Sequence, residues 1–121
     1  MTRTETSVSA IHGTGAVSVT TFRLLKPYRP KLWGAAVKEL DGVSAQLAAQ
    51  LHGHVVAVRS VRLAGTTARQ YDLAFVRNGD HLVERITFVL RGRREYELLC
   101  RFRDGQSETA CSLLQSSFRG G

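Results

Sequence analysis

RQYDLAFVRNGDHLVERITFVLRGRREYELLCRF, residues Arg69 to Phe102, reads as three consecutive antiparallel strands whose turns, apolar faces and charge pairs agree with one another. The register starts at Asn78-Gly79, a pair suited to a two-residue type I′ turn because both central positions need φ > 0. Pairing Arg77 with Asp80 then sets Phe75 against Leu82 and Tyr71 against Ile86 on one face. On the other face Asp72 meets Arg85, opposite charges where solvent is expected. The next turn lies within Arg91 to Glu95, and a three-residue loop opened by Gly92 predicts Leu90 opposite Tyr96, Phe88 opposite Leu98 and Ile86 opposite Cys100. That register also brings Arg91 against Glu95, an attractive pair contributing roughly 0.2–1 kcal/mol. Glu84 falls on the apolar side, opposite Leu73 and Phe102, and so needs a sheet margin or a partner. A one-residue slip would turn a whole strand's apolar set to the other face.

The first half supplies a cover for this sheet. Val17, Val19 and Thr21 alternate with Ser18, Thr20 and Phe22 in a strand-like segment, Ala16 to Leu25, which Pro27 and Pro30 break. From Leu32 to Leu51, Trp33, Ala36, Val37, Leu40, Val43, Leu47, Ala48 and Leu51 recur at three- and four-residue intervals, the pattern of an amphipathic helix. Gly42 inside it costs about 1 kcal/mol relative to alanine and suggests close contact with the sheet or a bend. Gly53 stands where a helix C-terminus would want it. Val55 to Leu63 is a further strand ended by Gly65, and Ser107 to Gln115 a short helix with Ala110, Cys111 and Leu114 inward. The expected fold is therefore α+β: an antiparallel sheet in the order β-α-β-β-β-β-α, layered with a long N-terminal and a short C-terminal helix. Residues 1–10 are expected as a disordered tail and 11–121 as a single domain.

Length and composition agree with one globular domain: 121 residues, 43% hydrophobic. Met1 to Ser9 is polar, with no apolar core of a signal peptide, and no run approaches the about 18 residues that cross a bilayer. The expected setting is the cytoplasm, without membrane insertion. Cys100 and Cys111 are expected as two small buried thiols in a reducing compartment.

The succession Leu63-Ala64-Gly65, Arg69-Gln70-Tyr71, Arg85 to Leu90, Tyr96-Glu97-Leu98 and Ser116-Ser117-Phe118-Arg119 resembles the PsbP-like superfamily, which includes Ran-binding Mog-type proteins and small uncharacterised bacterial members. The resemblance covers about Val55 to Arg119, with the preceding helix more loosely. It implies an α-β-α sandwich acting as a non-enzymatic binding or assembly module, and it transfers no catalytic residue.

The formal charge of +7, with a pI near 10.3, favours acidic partners. Arg91, Arg93 and Arg94 form the densest basic group, at one hairpin tip. Lys26, Arg29 and Lys31, with Arg23, form a second around the prolines. Both are candidate anion- or partner-binding groups, set against the ordinary reading of solvated surface charge. His52 and His54 could chelate from an extended segment, yet no Cys, Asp or Glu close in sequence completes a tetrahedral set; with His12 and His81 they are expected in structural or solvent roles. The apolar settings of Cys100 and Cys111 argue against a nucleophile. Glu39 and Asp41 look like a solvated helix face. No catalytic, cofactor or metal residue is expected.

Three functional readings follow. The first is a non-catalytic module for a protein partner or a second copy of itself; were the outer sheet face uncovered, Leu99, Val83 and Val89 would form an apolar strip there. The second is a basic-surface binder of nucleic acid or another anion. The third is a small-ligand carrier or enzyme with a cavity between helix and sheet, lined by Trp33, Tyr71 and Tyr96. A continuous positive face would place the second reading above the first.

Overall fold

The computed structural model describes residues 3–10, 17–105, 111, 112, 116 and 118. Its strands are β1 (Arg3–Ala10), β2 (Val17–Leu24), β3 (His54–Leu63), β4 (Thr66–Arg77), β5 (Asp80–Arg91) and β6 (Arg94–Arg103), with helix α1 (Trp33–Gln50) between β2 and β3. All pair antiparallel in one six-stranded sheet of order β1-β2-β6-β5-β4-β3. The α+β class holds, with one addition: residues 3–10 form the edge strand β1 where a disordered tail was expected. A polar sequence is no obstacle at an edge, where a strand needs only one hydrogen-bonded neighbour and gains solubility from polar side chains. The expected helix Ser107–Gln115 lies mostly outside the described residues.

Helix α1 buries Ala36, Leu40, Ser44 and Ala48, one residue per turn, over β3 and β4. Pro30 opens the preceding 3₁₀ turn, Pro30–Leu32, where a missing N–H costs nothing. The helix ends in a Schellman motif: Gly53 N–H donates to the Ala48 carbonyl (2.9 Å) and His52 N–H to that of Ala49 (3.0 Å). The left-handed position belongs to His52, at φ 56°, one residue before the glycine that the sequence nominates. Gly53 is required for space, because a Cβ there would lie 2.1 Å from the Ala74 carbonyl oxygen. Gly42 faces open space, so the close approach to the sheet expected of it does not occur.

The β4–β5 register is as the Asn-Gly turn dictates: Tyr71 pairs with Ile86, Asp72 with Arg85 and Arg77 with Asp80. Asn78 and Gly79 both take φ > 0, at 53° and 81°. The β5–β6 register differs from expectation by one residue. Leu90 pairs with Glu95, Phe88 with Glu97, Ile86 with Leu99 and Arg91 with Arg94. Only Gly92 and Arg93 separate the strands, and a positive φ of 57° confined to Gly92 suits a two-residue type II′ turn in place of the three-residue loop.

That slip divides the apolar residues between two faces. Tyr71, Leu73, Ile86, Phe88 and Leu90 lie under α1 with Leu24, Ala36, Leu40 and Ala48. Leu40 and Phe88 are fully buried, each contributing about 1.5–3 kcal/mol of transfer free energy. Tyr96, Leu98 and Cys100 point the other way, into a second cluster with Leu63, Ala68, Val89 and Cys111. Tyr96 meets Phe118 edge-on at a centroid distance of 5.2 Å.

A disulfide joins Cys100 to Cys111, replacing the two free thiols expected from the sequence. Two Cα atoms 5.4 Å apart on facing layers suit such a bridge, a proximity that spacing along the chain does not reveal. Val83 and Val89 are buried on this second face and Leu99 sits on the helix side, so the three form no common apolar strip.

Candidate functional site

The pairing of β2 with β6 decides where the cationic groups meet. Arg23 stands opposite Arg94 in that ladder. Beyond it, Leu24 N–H donates to the Arg93 carbonyl (2.7 Å) and Tyr28 N–H to that of Gly92 (2.6 Å), so the proline connector is laced to the β5–β6 hairpin tip. The Arg93 guanidinium returns the contact, donating from Nη1 to the Leu25 carbonyl (3.1 Å). Leu24 is 1% exposed and Tyr28 packs against the helix-side core, which holds the connector in place; burial also raises the Tyr28 hydroxyl's pKa. Two basic groups nearly seventy residues apart in sequence thus share one end of the sheet.

At this end Phe22, Arg23, Arg93 and Arg94 line a cleft of about 390 Å3. Lys26, Arg29 and Lys31 are exposed on the connector. Arg91 belongs to the same hairpin but is half-buried and donates to the Ala64 carbonyl, tying two hairpin tips together. Arg23, grouped by sequence with the connector alone, becomes a lining residue; nothing short of the β2–β6 pairing would place it there. Among the described residues, ion pairs join Asp41 to Arg69, Asp72 to Arg59 and Arg85, Asp80 to Arg103, and Glu84 to Arg101.

Those pairs do structural work elsewhere. Asp72 was expected toward solvent, yet it is buried on the second face, where Arg85 (2.8 and 3.0 Å) and Arg59 (2.9 Å) donate to its carboxylate and Gln70 bridges Arg59 to Thr87. Burial alone would raise this carboxyl; the hydrogen bonds and charge of Arg85 and Arg59 outweigh it and hold the pKa below the ordinary 3.8. Glu84 finds its partner in Arg101, at 2.6 Å. Asp41 lies on an exposed helix face, as expected, and from there also accepts from the Tyr71 hydroxyl and from Arg69, pinning α1 to the sheet. Burial and the Asp41 hydrogen bond push the Tyr71 hydroxyl up to about 12.

The opposite end of the sheet holds a hollow of about 290 Å3 lined by His52, His54, His81 and Asp104 among others. The histidines do converge, which the sequence leaves open, but no group of three or more His, Cys, Asp or Glu among the described residues could hold a metal ion. A third hollow, about 210 Å3, lies where Lys26, Pro27 and Tyr28 face Leu32, Ala35, Ala36 and Glu39. The cavity expected between helix and sheet is not formed by its named residues, because Tyr71 and Tyr96 are buried on opposite faces. No helix among the described residues is long and apolar enough to cross a membrane. Comparison with protein-family models and with curated proteins finds no match, so the PsbP-like resemblance stands on the quoted residues alone.

Proposed function

We propose that this chain is a non-catalytic binder of nucleic acid, engaging the phosphate backbone through the basic end of its sheet. The observation that carries the reading is the lacing of the connector to the hairpin tip, which gathers Arg23, Arg93 and Arg94 around one cleft beside Lys26, Arg29 and Lys31. Scattered surface cations contribute little; clustered ones release condensed counterions together and give affinity that falls steeply with salt. The net charge of +7 adds long-range attraction. The protein-partner reading has lost its apolar strip, since Val83 and Val89 are buried. Cytoplasmic placement has lost the support of free thiols, because a disulfide persists best in an oxidising setting.

Fluorescence anisotropy with a labelled oligonucleotide, between 50 and 200 mM salt, tests the reading. With about five phosphates neutralised, log K is expected to fall against log salt with a slope of roughly −3.5 to −4.5. Substituting R93E and R94E together is expected to weaken binding at least about tenfold and to flatten that slope. Unchanged affinity in a folded double variant would remove the proposal.

A further inference from the structure

Resting on that reading, we infer that the basic end binds the terminal phosphate of a nucleic-acid strand, a phosphomonoester gripped between Arg23 and Arg94, with the chain leading away over Arg93 and the connector. The strand ladders carry this. Arg91 stands opposite Arg94 in the β5–β6 pairing, and Arg94 opposite Arg23 in the β2–β6 pairing. By alternation from Val89, Tyr96 and Val19, all three arginines belong to the second face, in one row across three adjacent strands. Neighbours in such a row have Cα atoms about 5 Å apart. Like charges placed directly opposite cost stability, and an anion lodged between them turns that cost into attraction.

The number of acceptors selects the phosphate. A phosphodiester offers two unbridged oxygens and a single charge; a phosphomonoester offers three oxygens and a charge of about −1.5 to −2 at neutral pH. Two guanidinium forks side by side match the monoester better, since paired N–H···O bonds from both need more oxygens than a diester has. Arg23 and Arg94 are exposed, while Arg91 is half-buried and donates to the Ala64 carbonyl, so it serves as a fixed positive neighbour. Glu95 and Glu97 pair with Leu90 and Phe88 on the helix side and so lie across the sheet from the row. The row is also a dead end. Tyr96, the next residue of β6 on this face, is buried and meets Phe118 edge-on at 5.2 Å. A backbone running straight along β6 would meet that ring, whereas a strand ending at the arginines leaves outward past Arg93 and the connector. The cleft of about 390 Å3 lies within the roughly 300–1,000 Å3 of small-ligand sites and has room for a terminal nucleotide. Its floor is prearranged by the unbroken ladder from Val17↔Cys100 to Arg23↔Arg94.

Two oligothymidylates of about twelve nucleotides, labelled at the 3′ end and identical but for a 5′-phosphate or a 5′-hydroxyl, decide the matter by fluorescence anisotropy. The phosphorylated strand is expected to bind at least about tenfold tighter, and excess thymidine 5′-monophosphate to remove that advantage. Arg23→Lys keeps the charge but loses the fork; it is expected to cost the phosphorylated strand about tenfold and the hydroxyl strand about twofold. Equal affinity for the two strands, in protein whose thermal melt is normal, would overturn the inference while leaving a backbone binder. A phosphoserine peptide that bound as tightly as the phosphorylated strand would overturn the assignment to a nucleic-acid end. Failure of every probe to bind would overturn both readings.

Discussion

The two faces of this sheet are stabilised by different means. Under α1 lies a conventional apolar layer, Leu40 and Ala48 over Tyr71, Leu73, Ile86 and Phe88, with the Asp41–Tyr71 hydrogen bond as its polar anchor. Among the described residues the second face has fewer large aliphatic side chains, and it has two further devices: the Cys100–Cys111 bridge and the charged network centred on Asp72. One side is held by a helix whose periodicity fits it; the other by a cross-link and by charges whose burial is compensated within the sheet. Apolar packing tolerates change of shape poorly, whereas a buried carboxylate tolerates change of charge poorly, so the faces should fail under different insults.

Leu40→Ala is expected to give the largest effect, about 3–4 kcal/mol in chemical denaturation, because Leu40 is fully buried and both helix and sheet are too constrained to close the gap. Hydrogen exchange should then quicken in β3 and β4 before β6. Asp72→Asn should cost somewhat less, about 2–3 kcal/mol, since Arg59 is a third exposed and water screens it. This variant also has a pH signature. Asp72 has a pKa below 3.8 when folded, so the stability it contributes is present above that value and is lost as pH falls beneath it. Acid denaturation of Asp72→Asn should lack that component. Replacing Cys100 and Cys111 by alanine should cost about 2–3 kcal/mol, for a bridge spanning eleven residues, with faster exchange confined to the second face. The smallest effect is of opposite sign: Gly42→Ala on α1 should stabilise by about 0.8–1 kcal/mol, read as a rise in melting temperature, because nothing lies near the added methyl. A destabilised Gly42→Ala would mean that the helix seats more tightly than its helix-side contacts imply.

The helix-side layer was the legible one. Asn78-Gly79 admits one favoured turn and therefore one register, and α1 announces itself by its three-and-four spacing. At Gly92 the sequence supports two turns, a three-residue loop and a type II′ pair, and β6 cannot break the tie: Leu98 and Leu99 offer apolar side chains in both phases. Burial of Asp72 escaped notice for a related reason: charge pairs normally mark the wet face, and two residues that pack on this one, Cys111 and Phe118, lie far along the chain. The edge strand β1 leaves no apolar alternation to detect. For the candidate site, both basic groups were readable as clusters, but their union depends on β2 choosing β6 as its neighbour, a long-range choice that no local pattern encodes.

The strand order also bears on how the chain is made. Ribosomal synthesis delivers β2 early and β6 late, yet the two lie side by side near the middle of the sheet, so β2 emerges with no lasting mate along its inner edge. An open edge of that kind invites pairing with neighbouring nascent chains, and such long-range closure is slow. Yield from the cell should therefore depend on translation speed and on chaperone supply more than the finished molecule's stability would suggest.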